Sequence, residues 1–385
     1  MTGVARLNLT LACGDYDRTR AIRTGEVQPD GVDLNVVTLA PEEMFYRMAR
    51  FREFDVSELS LSTYTVLRGR GEPLVAVPVF PSFSFRHSSI FVGAKAGISV
   101  PKDLIGKRVG VPKYHMTAAV WIRGMLEDEY GVAPKDVHWF EGGEGSLVKE
   151  VDVTLPPDVR RESVPAGRNL GDMVAAGELD AFVGARRPAA FGERVRRLFP
   201  DFRRAERAYY EKTGIFPIMH TLVVKEELAR QHPWLPRSLY DAFVESKRLA
   251  YQLLQFTAAL PVSLPWLVAE AEETRALMGA IRFPTASPRT GRPWRPWLVT
   301  PTGRGWRRAG SKSRRCSGSR PWRSEGRWRR NHSLSPQRLV SRFRSRSDRC
   351  CLVVGTGSVR SVCVKPTAPK AISPARGQVS RTLHL

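Results

Sequence analysis

Leu7, Leu9 and Leu11 alternate with polar neighbours in LNLTLAC, which predicts a half-buried strand of period two. Asp15 then stands where a helix can begin on DYDRTRAIRTG, closed by Gly25. VDLNVVTL repeats the strand pattern, and PEEMFYRMARFRE carries a helical one with Pro41 in its first turn. DVSELSLST and PLVAVPVF read as strand-like runs, followed by SSIFVGAK as a half-buried strand.

The alternation then starts again. GKRVGVP is a short strand, HMTAAVWIRGMLEDEYG a helix stopped by Gly131, and VHWFEG a strand. NLGDMVAAGELDAFVGA reads as helix, glycine turn and strand. HTLVV is a further strand, before helices on LPRSLYDAFVESKRLAYQLLQF and PWLVAEAEETRALM. Trp121 and Met125, four residues apart in the middle helix, are expected in its core face. The whole is an α/β pattern with mostly parallel sheets. Because the order of elements resets near residue 90, two sheets are expected rather than one.

Charge confines this reading to the first 280 residues. The formal net charge of +23 suggests a nucleic-acid or anionic-membrane partner. Yet residues 1–280 hold 36 basic and 36 acidic side chains, while 281–385 hold 25 basic and two acidic, Glu325 and Asp348. Cys13 is the single cysteine before residue 281; the other four follow it. That usage, no apolar stretch long enough for a signal peptide and none for a membrane span give the expectation of a cytoplasmic globular protein.

Residues 281–385 carry 22 Arg among Ser, Pro, Gly and Trp, with little apolar periodicity, so a largely disordered tail is expected. Three readings stand: a basic nucleic-acid-binding segment with interleaved Arg and Trp, a solubilising segment, or GC-rich sequence translated out of frame. Nucleic-acid contact rests on this tail alone.

DLIGKRVGVPKYHMTAAVWIRGMLEDEYGV and GDMVAAGELDAFVGARRP together resemble the type II periplasmic-binding-protein fold. More specifically, DVSELSLSTY, PSFSFRHSSIFV, YHMTAAVWIRGML and TGIFPIMHTLVV resemble the 4,5-dihydroxyphthalate decarboxylase family over roughly residues 5–279. The resemblance implies one lobe from 1–90 plus 221–280 and another from 91–220, with ligand between them at the carboxyl ends of strands. It also favours the out-of-frame reading of the tail, which lacks the family's amphipathic carboxyl-terminal helix. The implied activity is carboxy-lyase chemistry on an aromatic dicarboxylate, in aromatic catabolism. The alternative is a non-catalytic small organic-anion binding protein of the same fold.

That chemistry needs a clamp for the retained carboxylate, a base for a ring hydroxyl and an acid for the ring carbon. It demands no metal or organic cofactor, and none is expected. Arg86 and His87, adjacent in FSFRHSS, suit a carboxylate clamp and a proton-transfer group; a surface Arg beside a structural His is the alternative. Tyr114, His115 and Thr117 sit at the mouth of a helix, where backbone N–H groups favour anions; Thr117 caps the helix or binds a carboxylate. Glu58, a polar residue in the strand-like SELS, is a candidate base for the ring hydroxyl, with a solvent-facing strand position as the alternative; His220, near the second crossing, is a candidate proton-transfer group, with a structural histidine as the alternative. Arg187, beside Arg186 in GARRP, is a candidate carboxylate ligand. Arg123 reads as solvated or salt-bridged. No GxxxxGK[ST], HExxH or CxxC pattern occurs.

Overall fold

The computed structural model describes residues 6–143 and 151–279, so every expectation placed on 281–385 lies outside the described residues. One sheet contains β1 (Leu7–Cys13), β2 (Val32–Thr38), β3 (Val56–Ser60), β4 (Leu74–Val77) and β11 (His220–Lys225), in the order β2-β1-β3-β11-β4. The other contains β5 (Ile90–Gly93), β6 (Arg108–Val111), β7 (His138–Glu141), β8 (Arg161–Ser163), β9 (Ala181–Val183) and β10 (Val195–Arg197), in the order β10-β5-β9-β6-β7-β8. This is the two-lobed, type II periplasmic-binding-protein-like α/β fold that the resemblance implies.

Both sheets are more mixed than the sequence suggests. β1 runs parallel to β2 and β3, but β11 runs antiparallel to β3 and β4. Likewise β6 is parallel to β7 and β9, whereas β5 is antiparallel to β9 and β10. The reversal follows from the crossings. A segment arriving from the other sheet enters at the carboxyl ends of the parallel strands, so it must run against them.

The helices are α1 (Arg20–Arg23), α2 (Pro41–Phe51), α3 (Leu61–Gly69), α4 (Thr117–Tyr130), α5 (Leu170–Ala176), α6 (Phe202–Thr213), α7 (Glu226–Gln231), α8 (Leu235–Leu253) and α9 (Leu267–Met278). Met44 and Met48 of α2 cover one face of the first sheet with Leu59 and Leu67, while Leu239 and Phe243 of α8 cover the other with Leu11 and Val224. With both faces buried, the central strand β3 is buried at every position. In the second sheet Ile122 and Leu126 of α4 pack on Val109 and Trp139. Gly131, at φ +69°, ends α4 in the left-handed conformation. Arg203 of α6 pairs with Glu270 and Glu273 of α9.

Three local expectations are corrected. The run after Ser60 is helix α3, not strand: burial of Leu67 in the core overrides the β propensity of its Thr and Val residues, and the Thr65 hydroxyl is satisfied on the Leu61 carbonyl (2.8 Å). The helix expected from Asp15 shrinks to a 3-10 turn at Asp17–Thr19 and the single turn of α1. The Thr19 hydroxyl, bonded to the carbonyls of Gly14 (2.9 Å) and Tyr16 (3.1 Å), holds residues 14–16 out of the helix. Trp121 is half-buried rather than core, donating its indole N–H to Ile218 O (2.9 Å) while Met125 is buried as expected.

Candidate active site

β11 places His220 opposite Ser60 and Leu222 opposite Glu58, so His220 and Glu58 are diagonal neighbours on one face of the sheet. Their side chains meet: His220 Nδ1 lies 2.5 Å from Glu58 Oε1. The same oxygen accepts from the Tyr16 hydroxyl (3.0 Å), and Oε2 accepts from the Gly14 N–H (2.9 Å) and the Cys13 thiol (3.6 Å). Thus the end of β1 and the loop after it supply three donors to a carboxylate that has no solvent exposure.

Burial alone raises the Glu58 pKa, but the bonds from His220, Gly14 and Tyr16 outweigh it, and the carboxyl is held below its usual range. The contact turns the Nδ1 edge of the ring to Glu58 and the Nε2 edge away from it. Nε2 makes no hydrogen bond among the described residues. Burial, and then the Glu58 charge, push the Tyr16 hydroxyl far above its ordinary pKa, so it stays a donor; Cys13 is shifted the same way. Phe45 packs edge-on to the His220 ring at 4.8 Å, limiting its rotation.

The second lobe meets this site through the start of α4. Thr117 Oγ1 lies 2.8 Å from Ser60 Oγ and 3.1 Å from the Ser62 N–H, and Ser62 Oγ donates to His115 O at 2.5 Å. Thr117 therefore does not cap α4, since Met116 occupies the cap position; its hydroxyl joins the two lobes instead. Farther out, Arg186 pairs with Glu42 at 2.9 Å.

Arg86 donates from Nε to Met219 Sδ (3.2 Å), beside His220. It is half-buried and has no carboxylate within ion-pair distance among the described residues. Burial, partly offset by Glu206, lowers its pKa to about 10, so the guanidinium remains charged at neutral pH.

The other candidates separate from this cluster. His87 is 1% exposed, and its ring lies among Tyr130, Phe199 and Tyr209 at 5.1–6.2 Å, because the 3-10 turn at His87–Ser89 points it into the lobe. Tyr114 is spent structurally: its N–H donates to Glu141 Oε1 (2.9 Å) and its ring packs against Trp139. Arg123 is neither solvated nor salt-bridged, for its guanidinium is buried 3.6 Å from the Tyr114 ring centroid. Arg187 is exposed and lies over the Phe191 ring at 5.3 Å.

Gly14, Tyr16, Ser60 and Ser62, which contact Glu58 or Thr117, are not among the residues expected from the sequence. Tyr16 carries the one usable signal, its place just past the carboxyl end of the first parallel strand, where α/β sheets bind ligands. Among the described residues no helix is long and apolar enough to cross a membrane.

A family profile described as NMT1/THI5 like matches residues 28–155. The periplasmic aliphatic sulphonate binding protein SsuA from Escherichia coli is similar at a TM-score of 0.41 and 13% identity, over 71% of this chain and 79% of that one. The 4,5-dihydroxyphthalate decarboxylase of Pseudomonas putida is 46% identical over 189 residues, 48% of this chain and 73% of the relative. That of Comamonas testosteroni is 44% identical over 282 residues, covering 72% of this chain and 86% of the relative. With such identity spanning most of a relative's length, the chain belongs to the 4,5-dihydroxyphthalate decarboxylase family.

Proposed function

We propose that the cleft decarboxylates 4,5-dihydroxyphthalate, or a closely similar aromatic dicarboxylate, to a catechol monoacid of the protocatechuate type. The observation that carries this reading is the Glu58–His220 pair. A saturated, buried carboxylate fixes the imidazole, while Nε2 is left for a ligand. Glu58 has no exposed surface, so it acts as a positioning residue with Tyr16 rather than by touching substrate.

In the proposed step, His220 Nε2 takes the proton of the ring hydroxyl para to the departing carboxylate. The electron pair moves through the ring, and the carboxyl-bearing carbon takes a proton. The bond from that carbon to the carboxylate carbon then breaks, CO₂ leaves, and the bonding electrons restore the aromatic ring. We assign delivery of the ring proton to the α4 side of the cleft, where His115 precedes the helix. The retained carboxylate falls to Arg86 and the first-turn N–H groups of α4. A step in aromatic-acid breakdown and a cytoplasmic setting belong to the same reading; the lone, buried and reduced Cys13 among the described residues suits a reducing compartment.

The test is CO₂ release by the purified chain with 4,5-dihydroxyphthalate, with the aromatic product identified by mass spectrometry. Stoichiometric CO₂ and a monoacid are expected. Saturable binding with no turnover would make the chain an organic-anion binding protein instead.

A further inference from the structure

The 3-10 turn at His87–Ser89 follows Arg86 directly, and its shape decides which way Arg86 and His87 point. The Ser89 N–H closes it on the Arg86 carbonyl at 3.1 Å. The first N–H groups of such a turn have no partner inside it. α6 supplies one, for Glu206 Oε1 accepts from the Ser88 N–H at 3.1 Å. Arg197 Nε, on β10, donates to the Ser88 carbonyl at 3.1 Å. Tyr209 lies three residues after Glu206, on the same face of α6, and meets the buried His87 ring at 5.5 Å. One helix face therefore holds both residues that follow Arg86, and Lys212 ties that helix to Glu129 of α4 at 2.5 Å.

Glu206 and Arg86 also act on each other through space. Burial raises the half-buried Glu206 carboxyl above its usual range, against the Ser88 bonds and then the charges of Arg86 and Arg197. We propose that Glu206 is a positioning residue for ligand capture. Its bond to the Ser88 N–H sets the turn that holds Arg86 beside Met219, while its charge competes with a ligand carboxylate for the same guanidinium. The inference rests on the reading of Arg86 as the carboxylate clamp and makes that clamp depend on α6. Two substitutions of similar size separate the roles: Glu206→Gln keeps an acceptor for Ser88 without the charge, and Glu206→Met keeps neither.

Phthalate, a dicarboxylate without the ring hydroxyls, is the probe, titrated by calorimetry into the full chain with the thermal midpoint as fold control. Glu206→Met is expected to raise Kd about 10-fold, the scale of one hydrogen bond to a charged group. Glu206→Gln should bind as tightly as wild type or more tightly. Glu206→Ala serves as a second variant without an acceptor. In an Arg86→Met background, Glu206→Met should change Kd by less than about twofold, because a residue that acts through Arg86 has nothing left to act on. The Ser88 amide should lose hydrogen-exchange protection in Glu206→Met and keep it in Glu206→Gln, which needs no ligand. Wild-type Kd in folded Glu206→Met, a Glu206→Gln variant equally weakened, a fully additive loss in the double variant or unchanged Ser88 protection overturns the assignment. Wild type that binds phthalate but releases no CO₂ from 4,5-dihydroxyphthalate sinks the proposed activity and leaves this role standing. Additive losses in a chain that does release CO₂ sink this role alone.

Discussion

His220 and Glu58 meet diagonally across two antiparallel strands, with Nδ1 2.5 Å from Oε1, and the other donors around the carboxylate come from the end of β1 and the loop after it. The pair fixes the orientation of the ring. Glu58→Gln keeps the shape but presents an amide whose NH₂ can face Nδ1, which favours the opposite tautomer. kcat is expected to fall about 100-fold or more, with KM changed far less. Steady-state kinetics with a circular-dichroism control reads this. Unchanged kcat in a folded variant would remove the pair from the chemistry.

Arg86 holds its charge in a half-buried place with no carboxylate within ion-pair distance among the described residues, Glu206 acting only from farther off. An anionic ligand relieves that cost, so Arg86→Met should weaken substrate capture rather than the fold. Hydrogen bonds to charged groups contribute about 1.5–3 kcal/mol, so kcat/KM is expected to fall about 10- to 150-fold. The thermal midpoint should hold or rise, because an apolar side chain of similar length suits a desolvated site. A folded variant with wild-type kcat/KM would show that the carboxylate is held elsewhere.

The Arg86 and His87 pair shows what a sequence leaves open. Both sit in FSFRHSS, and nothing in the letters says which one turns toward the cleft; a single 3-10 turn sends His87 inward and leaves Arg86 beside Met219. For Glu58 and His220 the sequence offers strand placement, but not their pairing: SELS allows a solvent-facing carboxylate, and only the register of β3 against β11 buries Glu58 beside the imidazole. Tyr16 was not legible, since DYDRTRAIRTG carries helix signals and only the Thr19 hydroxyl bonds keep its first residues extended. Arg123 shows the converse limit. Charge suggests solvent, but stacking on Tyr114 buries it.

Thr117 joins the lobes through Ser60 and Ser62, and all three residues are buried. Thr117→Val preserves volume and leaves the Ser62 N–H without its acceptor, while the two serine hydroxyls keep each other and the His115 carbonyl. Buried polar groups left unpaired cost about 1–3 kcal/mol. A lower thermal midpoint is therefore expected together with a several-fold rise in KM, because the same contact brings α4 to the substrate. If the midpoint falls and KM does not move, the contact serves stability alone.

His87 gives a pH signature independent of catalysis. Its ring is buried among three aromatic side chains, with no hydrogen-bond partner for either nitrogen, and burial lowers its pKa from 6.5 to about 4 despite the opposing charge of Glu129. Because the folded value lies below the unfolded one, the unfolded chain takes up the proton first as pH falls. The stability tied to neutral His87 is thus complete above pH 6.5 and is lost progressively toward pH 4. At pH 5 the loss is about 2 kcal/mol, from the two pKa values by linkage. His87→Leu has similar volume and no titrating group, so it should abolish that part of the acid slope while leaving kcat near wild type. Urea unfolding of both proteins at pH 7 and pH 5 measures the difference. Parallel losses in the two proteins would place the acid sensitivity on other groups, and a collapse of kcat in a folded variant would return His87 to the reaction.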